Sequence, residues 1–104
     1  MTGLVLRMDW GSGSLVQCIA RAPRMEREPL SVKLRFESGY TYSRKVYPYQ
    51  DTHRYQLGIT LWLPGGNRYF IPGTTSLDAY ANEKPAQITI TFEDGGCWNR
   101  RFDP

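Results

Sequence analysis

The end of the chain constrains the fold most. Residues 87–93 read Gln-Ile-Thr-Ile-Thr-Phe-Glu, an unbroken alternation of polar and apolar side chains, and Asp94-Gly95-Gly96 then leads into Cys97-Trp98-Asn99-Arg100-Arg101-Phe102. Alternation buries one side of an extended strand and wets the other, and Asp-Gly supplies the positive φ angles of a tight hairpin turn. A terminal β-hairpin is what these residues specify, and similar segments recur along the chain.

Leu4, Leu6, Met8 and Trp10 alternate with Val5, Arg7 and Asp9, and Gly11-Ser12-Gly13 offers a turn into residues 15–20, a first hairpin. Residues 23–29, bounded by Pro23 and Pro29, break the pattern as a surface connection. Val32, Leu34 and Phe36 alternate with Lys33, Arg35 and Glu37, and Ser38-Gly39 turns that strand into residues 40–47. Residues 48–54 are irregular and hold the only histidine, His53. Leu57, Ile59, Leu61 and Leu63 form one face of the next strand, so Trp62 points away from that strand's main apolar face. Pro64-Gly65-Gly66-Asn67 turns the chain into residues 68–71, and residues 72–85 have mixed turn chemistry with room for a short helical turn at 76–81.

No long segment has helical periodicity, and turns come every ~8–12 residues, the rhythm of an antiparallel sandwich or barrel. At 104 residues the chain fits one domain, residues 1–104, able to hold a core without metal or disulfide staples. The expected fold is an all-β, single-domain antiparallel β-sandwich of about eight strands. A small closed barrel stands second, and the three longer connections are candidates for crossing between sheets. No apolar run approaches the ~20 residues of a membrane helix. Met1-Thr2-Gly3 leads directly into a strand-like run without a leader pattern, so a cytoplasmic location is expected. Cys18 and Cys97 lie in strand-like segments without CxxC spacing and read as reduced, partly buried thiols, with a disulfide between them as the second reading.

Residues suited to catalysis are sparse. Asp51 and His53 are close enough in a loop to touch, but no nucleophile or metal set accompanies them, and a solvated loop histidine is the simpler account. One His and two widely separated Cys do not make a closed zinc set, and Gly65-Gly66 and Gly95-Gly96 open no helix that could cradle phosphate. The chain therefore reads as a non-enzyme with no cofactor and no metal.

Signs of binding are stronger. The bases comprise ten Arg and three Lys for a net charge of +3, and seven Tyr and three Trp outnumber four Phe. Arg supplies a forked donor set, while Tyr and Trp combine apolar area with a polar tip, the residue types that dominate interface hot spots. Tyr40, Tyr42, Tyr47, Tyr49 and Tyr55 crowd one segment with Arg44, Lys45 and Arg54. Tyr40 and Tyr42 on one strand face would form an aromatic strip with cations at its end.

A family resemblance adds a second possibility. Residues 80–102, with Pro85-Ala86, Ile88, Ile90, Phe92, Asp94-Gly95 and Trp98-Asn99, resemble the closing hairpin of starch-binding carbohydrate modules. The run Leu-Trp-Leu-Pro-Gly-Gly-Asn-Arg-Tyr at 61–69 is similar to the Leu-Pro-Gly hairpin of glycogen-binding modules. The resemblance implies a β-sandwich that stacks aromatics on α-glucan without catalysis. Arg100-Arg101 stand where the family carries Asn-Asn.

The leading expectation is a non-catalytic binding domain for a protein partner, such as an inhibitor, immunity-type protein or adaptor. An α-glucan module and a single-stranded nucleic-acid binder are the alternatives. The contact residues expected are Tyr40, Tyr42, Arg44, Tyr47, Tyr49, Trp62, Arg68, Trp98, Arg100 and Arg101.

Overall fold

Each alternating segment becomes a strand with its apolar residues turned to a shared interior. The computed structural model describes residues 3–9, 15–73 and 83–103. Its strands are β1 Gly3–Asp9, β2 Leu15–Arg21, β3 Pro29–Phe36, β4 Thr41–Lys45, β5 Tyr47–Pro48, β6 Gly58–Trp62, β7 Arg68–Pro72, β8 Pro85–Phe92 and β9 Cys97–Arg101, with one 3-10 turn at Asp51–Tyr55. They form a five-stranded sheet in the order β2-β1-β6-β7-β5 and a four-stranded sheet in the order β4-β3-β8-β9. All pairings are antiparallel, and the two sheets make a sandwich rather than a closed barrel. Among the described residues no helix is long and apolar enough to cross a membrane.

The core follows the alternation except at Leu57, which precedes β6 and is exposed. Leu4, Leu6 and Met8 of β1 meet Ile59 and Leu61 of β6 on the inner face of one sheet; Val32, Leu34, Ile88, Ile90 and Phe92 answer them from the other. Each fully buried side chain of this size stabilises by roughly 1.5–3 kcal/mol relative to its exposed state.

The ninth strand arises where the sequence suggests one continuous strand over residues 40–47. Val46 is buried, and its N–H donates to the Leu30 carbonyl at 3.1 Å. There the chain leaves β4 on the edge of the four-stranded sheet and enters β5 on the edge of the other. Of the three longer connections, 23–29 and 72–85 cross between sheets, and 48–54 stays with the five-stranded one. The short helical turn expected at 76–81, Trp10 and the Gly11-Ser12-Gly13 turn lie outside the described residues.

Tyr42 overturns the aromatic strip. Tyr40 and Tyr42 share a face, but it is the inner one: Tyr42 is 3% exposed, and Tyr40 is half-buried with its ring 5.8 Å from that of Phe36. The Tyr42 hydroxyl donates to the Pro72 carbonyl on β7, tying the two sheets together. A Tyr ring gains more from burial than from solvent when its hydroxyl finds such an acceptor.

The terminal hairpin turns as expected, with Gly95 taking a φ of 91°. Asp94 keeps an ordinary backbone and uses its carboxylate instead. It accepts two hydrogen bonds of 2.7 Å from Arg27 and one of 2.9 Å from the Gly96 N–H. The Arg27 guanidinium also lies 4.3 Å from the Phe92 ring centroid, so the 23–29 connection is fastened to the β8–β9 hairpin. The Arg27 hydrogen bonds, followed by that from Gly96, lower the Asp94 carboxyl from 3.8 to about 2.

Two outcomes follow from these contacts. Because the folded-state value of Asp94 is depressed, its contribution to stability is present above pH 3.8 and is lost as pH falls toward about 2. Arg27→Ala should flatten the fall in urea midpoint over that interval. Tyr42→Phe should cost about 1 kcal/mol in urea unfolding by leaving the Pro72 carbonyl without its donor.

Candidate binding cleft

The outward face of the five-stranded sheet carries the most organised group of polar and aromatic side chains. Register places Arg7 opposite Thr60, Thr60 opposite Phe70 and Phe70 opposite Tyr47, making one row across four strands. The neighbouring row runs from Ile19 through Val5 and Trp62 to Arg68. The Tyr49 N–H donates to the Arg68 carbonyl at 3.2 Å, which brings Tyr49 to the end of that row.

Phe70 faces outward yet is only 4% exposed. Its cover is local. The Asp51–Tyr55 turn folds back over β7, and the His53 ring stacks on Phe70 with centroids 4.1 Å apart and planes 9° from parallel. Tyr49 meets His53 edge-on at 5.7 Å. Beneath, Phe70 lies against Gly58, where an added Cβ would come within 2.5 Å of the ring and 2.8 Å of the Ile71 carbonyl oxygen. Gly58 therefore provides the bed for the ring.

These contacts leave a cleft of about 170 Å³ lined by Arg7, Tyr49, His53, Arg54, Gln56, Gly58, Thr60, Trp62, Arg68 and Phe70. Among the described residues no carboxylate lines it. The Arg68 guanidinium rests 4.0 Å from the Tyr49 ring centroid and 5.9 Å from that of Trp62. Stacking of this kind uses the face of the guanidinium and leaves its in-plane N–H groups to bind a forked acceptor. Arg7 and Arg68 are exposed, and neither has a carboxylate partner among the described residues. His53 Nδ1 accepts the Gln50 backbone N–H at 3.0 Å. In the neutral ring this leaves the proton on Nε2. Gln50, rather than Asp51, is thus the Nδ1 partner, and the Asp51–His53 pair considered from sequence is not the contact that orients the ring.

The ten contact residues expected from sequence separate. Tyr49, Trp62 and Arg68 meet in the cleft, and Tyr47 adjoins it on β5, 43% exposed with the Lys45 amine 5.8 Å from its ring. Arg44 instead covers the Tyr42 ring at 4.5 Å and donates to the Ser43 carbonyl. Trp98 is half-buried against the core, with Arg100 5.8 Å from its ring. Arg101 pairs with Glu37 at 3.1 Å. Arg7, His53, Arg54, Gln56, Gly58, Thr60 and Phe70 are the cleft residues absent from that set. Trp62 and Trp98, the two rings of the glucan resemblance, belong to different sheets.

Cys18 is buried, which raises its thiol pKa, and both cysteines are free. Cys97 corrects the expectation of a partly buried thiol. It pairs with Thr91 on the outward face of the four-stranded sheet and is exposed. Among the described residues no group of three or more His, Cys, Asp or Glu is placed to hold a metal.

The fold and the cleft thus define a β-sandwich with an arginine-and-aromatic recess on one outer face. No family model, curated protein or solved structure matches the chain.

Replacing Gly58 with Ala should cost roughly 1–3 kcal/mol, because the new methyl meets backbone at Ile71 as well as the Phe70 ring. Chemical denaturation measures the loss. Displacement of Phe70 should also perturb the His53 ring resonances in a two-dimensional NMR spectrum.

Proposed function

We propose that this chain is a non-catalytic binding domain that seats an acidic element of a protein partner in the outer-face cleft. The observation that carries the proposal is that Arg7 and Arg68 line one recess with aromatic walls and, among the described residues, no carboxylate. Guanidinium held against rings, beside apolar surface that excludes water, binds an acid more strongly than an exposed Lys would. The recess admits one side-chain head group rather than a whole secondary-structure element. Tyr47, exposed beside it, supplies contact area for the flanking residues. The cleft is favoured over a glucan platform because stacked sugars need rings in one plane, and Trp62 and Trp98 stand on separate sheets.

A ten-residue poly-glutamate peptide is a suitable first probe, with maltoheptaose as the uncharged comparison. By calorimetry the peptide should bind, Arg68→Ala should weaken it roughly tenfold, equivalent to about 1.4 kcal/mol, and Arg101→Ala should leave it within about twofold. Maltoheptaose binding without peptide binding would sink the proposal and favour the glucan alternative.

A further inference from the structure

We infer that the acidic group this cleft is shaped to hold is a phosphate ester dianion on the partner's side chain, in preference to a carboxylate; this rests on the acidic-partner reading above. The first argument is charge. Arg7 comes from β1 and Arg68 from β7, on either side of β6, and both line one recess of about 170 Å³ without a carboxylate partner among the described residues. One carboxylate neutralises one guanidinium. A phosphomonoester carries about −1.5 to −2 charges at neutral pH and offers three terminal acceptor oxygens, so it satisfies both.

The second argument is the direction of the donors. A carboxylate is flat and is best met in its own plane, whereas the three oxygens of a phosphate spread in space. Here donor-bearing residues line the recess from four different elements: Arg7 from β1, Thr60 from β6, Arg68 from β7 and His53 from the 3-10 turn. In the neutral histidine the proton is on Nε2, since Nδ1 accepts from Gln50. Arg68 is held in place before any ligand arrives by its 4.0 Å stacking on Tyr49, and this lowers the entropy lost on forming a forked bond. The buried Phe70 ring and half-buried Trp62 reduce the local dielectric, strengthening each charged hydrogen bond.

The test uses the full chain and one acidic peptide sequence with phosphotyrosine, phosphoserine, glutamate or serine at its centre, each titrated calorimetrically. At least one phosphopeptide should bind about tenfold or more tighter than the glutamate peptide, and whichever does identifies the side chain that carries the phosphate. Arg7→Lys and Arg68→Lys keep the charge but lose the fork. Both side chains are exposed, so the variants should retain the wild-type Tm, and each should bring phosphopeptide affinity down toward that of the glutamate peptide. Glutamate and phosphopeptide affinities within twofold of each other would overturn this inference while leaving the acidic-partner reading intact. Failure of both to bind more tightly than the serine peptide would overturn that reading as well.

Discussion

Phe70 is a large apolar ring on the outward side of a sheet, where water would ordinarily meet it. Left bare, such a ring forfeits on the order of 2 kcal/mol of burial and offers a sticky patch. The chain covers it from both sides, with Gly58 giving the ring a flat bed and the 48–54 connection turning tightly enough to lay His53 across it. That cover has a geometric result. A turn laid over one end of a sheet makes a wall, and the wall converts a flat face into a recess whose other sides are Trp62, Arg68 and Tyr49. The candidate site is thus a by-product of hiding one ring.

The two sheets divide the work. The four-stranded sheet is given to closure of the molecule: Tyr42 reaches across to Pro72, Arg44 shields the Tyr42 ring, Arg101 engages Glu37, and the Asp94 turn fastens the connection that carries Arg27. Arg44, Lys45, Arg100 and Arg101 here have acceptors or rings, while Lys33 and Arg35 on the outward side of β3 are exposed. On the outward face of the other sheet, Arg7 and Arg68 have rings or solvent beside them and no carboxylate among the described residues. Two exposed guanidinium groups lining one recess concentrate positive charge there, and a fold tolerates that most readily where a ligand neutralises it.

Strand positions were legible because the signals behind them are local. Period-2 alternation over 87–92 and Gly95 in its turn can be read without knowing what the hairpin packs on. The tyrosines were harder. Tyr40, Tyr42 and Arg44 alternate equally well whether their shared face is wet or dry, and only the opposing sheet, through Pro72, decides that Tyr42 is inside. The jump between sheets at Val46 also depends on a distant acceptor, Leu30. The cleft was half visible. Trp62 stood out because it opposed its strand's apolar face, and Tyr49 and Arg68 by residue type. Phe70 was hidden in the run Tyr-Phe-Ile at 69–71, where every residue is apolar and alternation says nothing about direction. Arg7 was invisible for another reason: only the pairing of β1 with β6 brings it beside Thr60.

That pairing also governs the order in which the molecule can assemble. The neighbours of β1 are β2, which follows directly, and β6, from the second half of the chain; β3 likewise lies between β4 and β8. On the ribosome the hairpins β1–β2 and β3–β4 emerge early, each with one strand edge whose partner has yet to be made. Val5 waits for Trp62, and Val32 for Ile90. Closing such long loops costs entropy before the contacts return it, so these ladder edges stay unpaired until their partner strands have been made. The five-stranded sheet has all its strands once β7 is made, whereas β3 keeps an unpaired edge until β8 follows.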